Sequence, residues 1–477
     1  MTQQIILTSQ QQQAVSAIFA PAPVPGGSRS RSNIHIIHGG PGTGKTTAIH
    51  EILSRAAAEG LTVTQCAPTG KAAKRMMETT NYPASTIHRA FGIGFGKNGE
   101  SYQHGNGGII GDDGKADADL LIIDETSMVT NNLMATVLQS VDTDKTRVLL
   151  VGDPEQLPSV GAGAVLRDMI ASGRVPNTEL TEIQRNAGRI VKACHKIRRG
   201  KTFDYSQKVD LNHGENFKHI EVDTVKGITD TIRMILMEYL PRAGGFDPVW
   251  DTQVIAPTNE KSGLSCAALN QFLQGVLNPA PSTGVAGMFD ASSVGHNASG
   301  GFDASGESDS FGEPDNQDEN TGNGETPAQA YREGDKIIWT KNLSMTATNG
   351  EKINLVNGDM GVVDSVPPPG SSGKQLVATF HYPDRTVKIP VNSKHLRLAY
   401  AITCHRFQGS ESPVVIIPIH KSNSYLIDRC WLYTAISRAQ VLCFTVGQFD
   451  VINRAIGRVE NQERQTFLRE LIREEVA

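Results

Sequence analysis

Along this 477-residue chain, short runs in which nearly every position is apolar alternate with longer helical patterns. The short runs are "NIHIIH" (core 34–38), "LTVTQC", "LLIID", "RVLLVGD", "TQVIAP", "VVIIPI" and "VLCFTV". Runs so short and so continuously apolar predict strands buried on both faces, as in a parallel sheet flanked by helices. Their alternation with helical segments predicts an α/β architecture. At roughly 100–200 residues per domain, the length allows two to four domains.

Two stretches break the alternation. Residues 92–118 are glycine-rich and polar between two core strands, and read either as a loop or as a projecting β-hairpin. Residues 281–330 are dominated by Gly, Ser, Asp and Asn and offer almost nothing to a core, so a disordered insert is expected. A flexible chain of about 50 residues spans on the order of 40 Å, so it can leave and rejoin one domain. After it, "EGDKIIWT", "NGDMGVVDSV", "LVATFHY" and "TVKIP" alternate apolar and polar positions between turn signals. That pattern predicts a small antiparallel barrel over 331–398.

Hydrophobic residues make up 38% and charged residues 20%, as expected of a packed globular protein. The net charge of −5 speaks at first against a nucleic-acid partner, but residues 281–330 hold nine Asp or Glu and no Lys or Arg. The remainder carries 45 basic against 41 acidic groups, so total charge does not decide the matter. No run of about 18 apolar residues predicts a membrane span, and "MTQQIILTSQ" lacks a signal-peptide pattern. Six cysteines lie far apart without a C-x-x-C pair, which fits reduced thiols in a cytoplasm.

"GGPGTGKTT" (Gly39, Gly40, Pro41, Gly42, Thr43, Gly44, Lys45, Thr46, Thr47) fits G-x-x-x-x-G-K-[ST] between a strand and a predicted helix, "KTTAIHEILSRAAA". Glycines let backbone N–H groups wrap phosphate oxygens, and the helix N-terminus adds partial positive charge. Lys45 is expected at the β- and γ-phosphates of ATP, with Thr46 on Mg2+. "DLLIIDETSMV" supplies an apolar strand ending in Asp124, expected on the metal, and Glu125, expected to orient and deprotonate the attacking water. "LLVGDPEQLPSVGAG" brings Gln156, "LTEIQRN" brings Arg185 and "LYTAISRAQ" brings Arg438. Such arginines stabilise the charge that shifts as the γ-phosphate transfers.

Taken in order, "CAPTGKAAKRM", "STIHRAFG", "IIDETSMV", "VGDPEQLPSVGAGAVLRDMIASG", "LTEIQRN", "NGDMGVV", "YAITCHRFQGSE" and "LYTAISRA" resemble the motifs of RecD-type helicases. These belong to superfamily 1, B-type, with the phage helicase Dda. The likeness runs from about residue 5 to 450. The long N-terminal extension of RecD proteins has no counterpart, so the compact Dda-like form is expected. The resemblance implies two RecA-like P-loop motor domains, 1–91 with 119–185 and 186–280 with 399–477. It also implies a pin-like hairpin insertion at 92–118 and a small SH3-like β-barrel insertion at 331–398. The activity the resemblance implies is ATP-dependent, 5′→3′ unwinding of DNA with Mg2+.

In that likeness Gln11 of "LTSQQQQAV" reads adenine, chosen over its glutamine neighbours by spacing. Pro68, Thr69 and Gly70 of "APTGKAA" contact DNA phosphates, with His88 and Phe91 beside them; a buried histidine and a core phenylalanine are the competing readings. Phe95 and Tyr102 are the aromatic candidates for the pin. In "YAITCHRFQGSE", Thr403 and His405 face DNA while Gln408, Gly409 and Glu411 face the nucleotide, Glu411 toward the ribose hydroxyls. Arg406 and Phe407 stand where relatives often carry Lys-Ser. The implied partners are single-stranded DNA and single-strand/duplex junctions, with single-strand-binding, replisome or recombination proteins. A monomer in a bacterial or phage-infected cytoplasm is the implied setting. A translocase that strips proteins with weak unwinding, and a non-hydrolysing nucleotide switch, are the alternatives.

Overall fold

The computed structural model describes residues 7–20, 33–95, 102–104, 109–111, 114–182, 188–260, 262–280, 331–367, 375–381, 386–459, 466 and 468–474. The insert at 281–330, read as disordered, and Arg185 lie outside the described residues.

Two parallel sheets carry the fold. The first has six strands in the order Ala84–Thr86, Val63–Ala67, Leu120–Ile123, Arg147–Gly152, Ile34–Gly39, Asn177–Leu180. All its pairings are parallel, with Ile36 opposite Leu150 and His38 opposite Gly152. Alternate residues of its strands feed two separate cores. Ile36, Leu121, Ile123, Val148 and Leu150 pack to one side, and Ile37, Leu120, Ile122, Leu149 and Val151 to the other. Burial on both faces is why these strands read as unbroken apolar runs.

The second sheet has five parallel strands in the order Ala401–Thr403, Thr252–Ala256, Ser412–Ile419, Ala439–Gly447, Phe217–Glu221. Against one face of it lies a five-stranded antiparallel sheet ordered Thr386–Val391, Leu376–His381, Met360–Ser365, Lys336–Trp339, Leu396–Leu398. The two sheets share one core, in which Val254, Ile416 and Phe444 join Ile337, Trp339, Phe380 and Ile389. Buried Asp335 fastens the junction, accepting hydrogen bonds from Gln274, Asn278, Tyr400 and the Arg332 backbone. A hairpin, Leu343–Thr346 with Lys352–Leu355, extends from this region.

At 92–118, Ile93–Phe95 and Tyr102–His104 pair antiparallel, with Phe95 opposite Tyr102. The turn between them, 96–101, lies outside the described residues. No helix among the described residues is long and apolar enough to cross a membrane.

Candidate active site at the seam between the parallel sheets

The glycine-rich loop follows strand Ile34–Gly39 and opens helix Lys45–Ala58, the segment predicted from its pattern. Two of its glycines are favoured on steric grounds. A Cβ on Gly39 would stand 2.5 Å from the Leu180 carbonyl oxygen, and Gly44 holds φ +82° at the helix cap. The Thr43 hydroxyl donates to the Gly40 carbonyl at 2.9 Å, fixing the loop. Lys45 Nζ donates to the carbonyls of Gly39 (2.7 Å) and Gly40 (3.1 Å), so the ammonium lies across the mouth of the loop. Thr46 is exposed at the first turn of the helix.

Gln11 is fully buried against this loop. Its Nε2 donates to the Gly44 carbonyl (3.1 Å) and its Oε1 accepts from the Thr8 backbone (3.0 Å). Thr8 in turn caps helix Ser9–Phe19 through the Gln11 amide, a reciprocal capping box. Here Gln11 braces the loop from behind. Gln10 ties the same helix to the edge strand, exchanging hydrogen bonds with Thr181 (2.7 and 2.8 Å).

Strand Leu120–Ile123 delivers the acid pair. Glu125 takes a left-handed conformation (φ +51°), one of two non-glycine positive values among the described residues, and its N–H donates to Asp124 Oδ1 at 2.8 Å. A left-handed residue costs about 1–2 kcal/mol, and here it turns the chain away from the strand direction. Burial and the adjacent Glu125 charge push the Asp124 carboxyl up to about 6, against the pull of Lys45 and Arg75.

The second sheet closes on this loop through helix Arg429–Ser437. The Tyr433 hydroxyl donates to Asp153 Oδ2 at 2.6 Å and stands 3.2 Å from where a Gly40 Cβ would lie. Burial and the Asp153 charge hold the phenol far above its ordinary pKa, so it remains a donor. The Leu157 N–H donates to Thr434 Oγ1 (2.8 Å) and Gln408 Nε2 donates to the Leu157 carbonyl (2.9 Å). Arg438 is 3% exposed and held by three long hydrogen bonds, to Thr434 O (3.3 Å), Ser410 O (3.4 Å) and Ser437 Oγ (3.4 Å). Among the described residues no carboxylate forms an ion pair with it. Gln156, in the turn between Asp153 and Leu157, is buried with Oε1 lacking a hydrogen-bond partner.

A cavity of about 710 Å³ opens between the edge strand and helix Arg189–Arg198. Glu155, Glu179, Thr181, Lys192 and Arg198 line it. The same helix reaches the phosphate loop through Val191, which packs 3.9 Å from a Gly42 Cβ position.

The expected DNA contacts lie elsewhere. Thr69 caps helix Gly70–Thr80, its hydroxyl accepting from the Ala72 N–H (3.2 Å), and Pro68 is half-buried beside it. Gly70 is covered: a Cβ there would meet the Val356 side chain at 2.7 Å. His88 is half-buried, and burial lowers its basicity. Phe91 corrects the expectation of a DNA contact. It is 0% exposed in the core under the first sheet, where its ring packs with Ile36 and Leu121, and so cannot stack on a base. His405 and Arg406 are exposed, whereas Thr403 is buried and accepts from the Arg406 N–H (3.4 Å). Phe407 is buried too. Glu411, expected at the ribose, is bound instead to Arg75 (2.7 Å) and Gln440 (3.0 Å). Asp153, Tyr433 and Thr434 escaped the sequence reading although they sit inside quoted motifs, because nothing in their spacing says that they meet.

A glycine-rich loop at a parallel strand, an acid pair on the neighbouring strand and a buried arginine from a second parallel sheet define a two-sheet P-loop nucleotide hydrolase. The AAA domain family model matches residues 7–217, and the UvrD-like helicase C-terminal domain model matches 398–446. The chain is 32% identical over 442 residues to the ATP-dependent RecD2 DNA helicase of Deinococcus radiodurans, covering 92% of this chain and 50% of that protein. It is 27% identical to the RecBCD enzyme subunit RecD of Mycolicibacterium smegmatis, covering 92% of this chain and 72% of that subunit. The chain thus spans about half the length of the first relative. The fold matches the Pif1 helicase from Bacteroides, solved in complex with ADP-AlF3 and ssDNA, with a TM-score of 0.52 at 17% identity over 99% of this chain and 97% of that one. The chain is thus similar to RecD-type helicases over nearly its whole length.

Proposed function

We propose that this protein is an ATP-driven DNA helicase that moves 5′→3′ on single-stranded DNA and separates duplex at single-strand/duplex junctions. The observation that carries this reading is the seam itself. Tyr433 and Thr434 of one parallel-sheet unit, one turn of helix before Arg438, stand at the Gly40–Asp153–Leu157 rim of the other. A phosphate bound in the loop therefore touches a joint between two bodies, and its loss changes how they fit. The names of the RecD2 relative and the Pif1 neighbour agree with that reading.

In the proposed reaction, loop amides and the helix N-terminus hold the phosphates, and Lys45 turns from the Gly39 and Gly40 carbonyls to the β- and γ-oxygens. Thr46 and Asp124 offer the hard oxygen donors that suit Mg2+, which would neutralise phosphate charge there. Glu125 takes a proton from water as its oxygen bonds to the γ-phosphorus and the bond to the departing ADP oxygen breaks. Arg438, buried without a carboxylate, is free to balance the charge that moves to the leaving group, with Arg185 as the second cation. Pro68, Thr69, Gly70, His88, Thr403 and His405 form the DNA track; phosphate contacts of this kind suit a motor indifferent to sequence. The strands at 93–95 and 102–104 form the base of the pin, and the antiparallel sheet of 336–398 is the small barrel that steadies the strand.

Steady-state ATP turnover with and without an oligonucleotide tests this. Stimulation of at least about tenfold by single-stranded DNA is expected, within the range of ordinary coupling energies. Turnover indifferent to DNA would remove the motor reading and leave a nucleotide hydrolase without a track.

A further inference from the structure

Helix Gly70–Thr80 meets the second unit along one face. Lys71 Nζ lies 5.1 Å over the Phe407 ring, and Ala72 sits 3.2 Å from a Gly409 Cβ position. Arg75 Nη2 stands 2.7 Å from Glu411 Oε1. Positions 71, 72 and 75 share a helix face, so these contacts form one stripe. Glu411 passes the link on, its Oε2 accepting from Gln440 Nε2 at 3.0 Å, and Gln440 follows Arg438 by two residues.

We propose that Arg75 is a positioning residue which, by holding Glu411, transmits occupancy of the Thr69 loop to the hydrolytic seam. This rests on the helicase reading above. Several observations separate it from an ordinary surface ion pair, which contributes about 0–1 kcal/mol. The pair joins two units that carry different sheets. Its side chains are only 35% and 22% exposed, and its acid is also hydrogen-bonded by the strand that follows Arg438. The helix gives the link stiffness, since eleven residues at about 1.5 Å each make a rod of about 16 Å with Thr69 at its cap. A shift imposed at the Thr69 end is thus felt at Arg75. Without the guanidinium, Glu411 loses its cation across the two units.

The test measures ATP turnover with and without poly-dT, together with binding of a labelled oligonucleotide, for the wild type, Arg75→Gln and Arg75→Lys. Arg75→Gln is expected to keep DNA-free turnover and oligonucleotide affinity within about threefold while losing about tenfold of the stimulation, a size typical of coupling between two sites. Arg75→Lys, which keeps the charge, is expected to retain most of the stimulation. Undiminished stimulation in Arg75→Gln overturns the proposal. So does a parallel fall of both rates, which would put Arg75 in hydrolysis itself, and so does lost oligonucleotide binding, which would make it a DNA contact. A wild type that DNA does not stimulate removes the helicase reading beneath it, and the inference with it.

Discussion

Two loops of the first sheet share one plan, a parallel strand running through a turn into a helix N-terminus, yet they are prepared differently. At Gly39–Thr47 the turn is built from glycines, Thr46 is exposed, and Lys45 is held only by carbonyls that a phosphate can replace. At Ala67–Ala73 the helix start is already capped by the Thr69 hydroxyl, and Val356 covers Gly70. The first loop is a preorganised anion cradle. The second is packed at Gly70 against Val356 of the antiparallel region. In the proposed motor the second loop is the strand contact, whose fit against the other unit can change with each step, whereas a nucleotide loop must be ready at each encounter.

The largest effect that would sharpen this contrast is expected from Lys45→Ala. It should reduce ATP turnover by more than about a hundredfold, as loss of a transition-state charge partner does, while oligonucleotide affinity stays near wild type. Retained turnover would break the assignment of the nucleotide loop. Next comes Tyr433→Phe, which leaves buried Asp153 without its 2.6 Å donor across the seam. A loss of about 1–3 kcal/mol in unfolding free energy is expected from chemical denaturation, along with weaker nucleotide-dependent protection at the seam. An unchanged midpoint would mean that the seam is open in solution. The smallest effect belongs to Thr69→Ala, which should cost about 1 kcal/mol through the lost cap and weaken oligonucleotide binding several-fold while leaving DNA-free turnover alone. A variant that binds DNA as well as the wild type would remove Thr69 from the track.

What was legible in the sequence followed burial. The seven apolar runs are the interior strands of the two parallel sheets among the described residues. The four strands that escaped, Ala84–Thr86, Asn177–Leu180, Ala401–Thr403 and Phe217–Glu221, are the four edges. An edge strand is covered on fewer sides and carries polar positions, as the alternating burial of Asn177–Leu180 illustrates. Ala401–Thr403 is buried but only three residues long, and it runs straight into polar "CHRFQGSE". The phosphate loop and acid pair were readable because their spacing is local. Phe91 misled because an aromatic beside a polar motif looks the same whether it faces the core or the solvent. The Arg75–Glu411 pair spans more than three hundred positions, and no local pattern announces it.

The central claim is directional movement driven at the seam, and unwinding polarity tests it most directly. Two partial duplexes of equal length, one with a 5′ single-stranded tail and one with a 3′ tail, are incubated with the protein, Mg2+ and ATP, and strand release is followed. The account predicts release from the 5′-tailed substrate alone, and none without ATP. Release confined to the 3′-tailed substrate would contradict it.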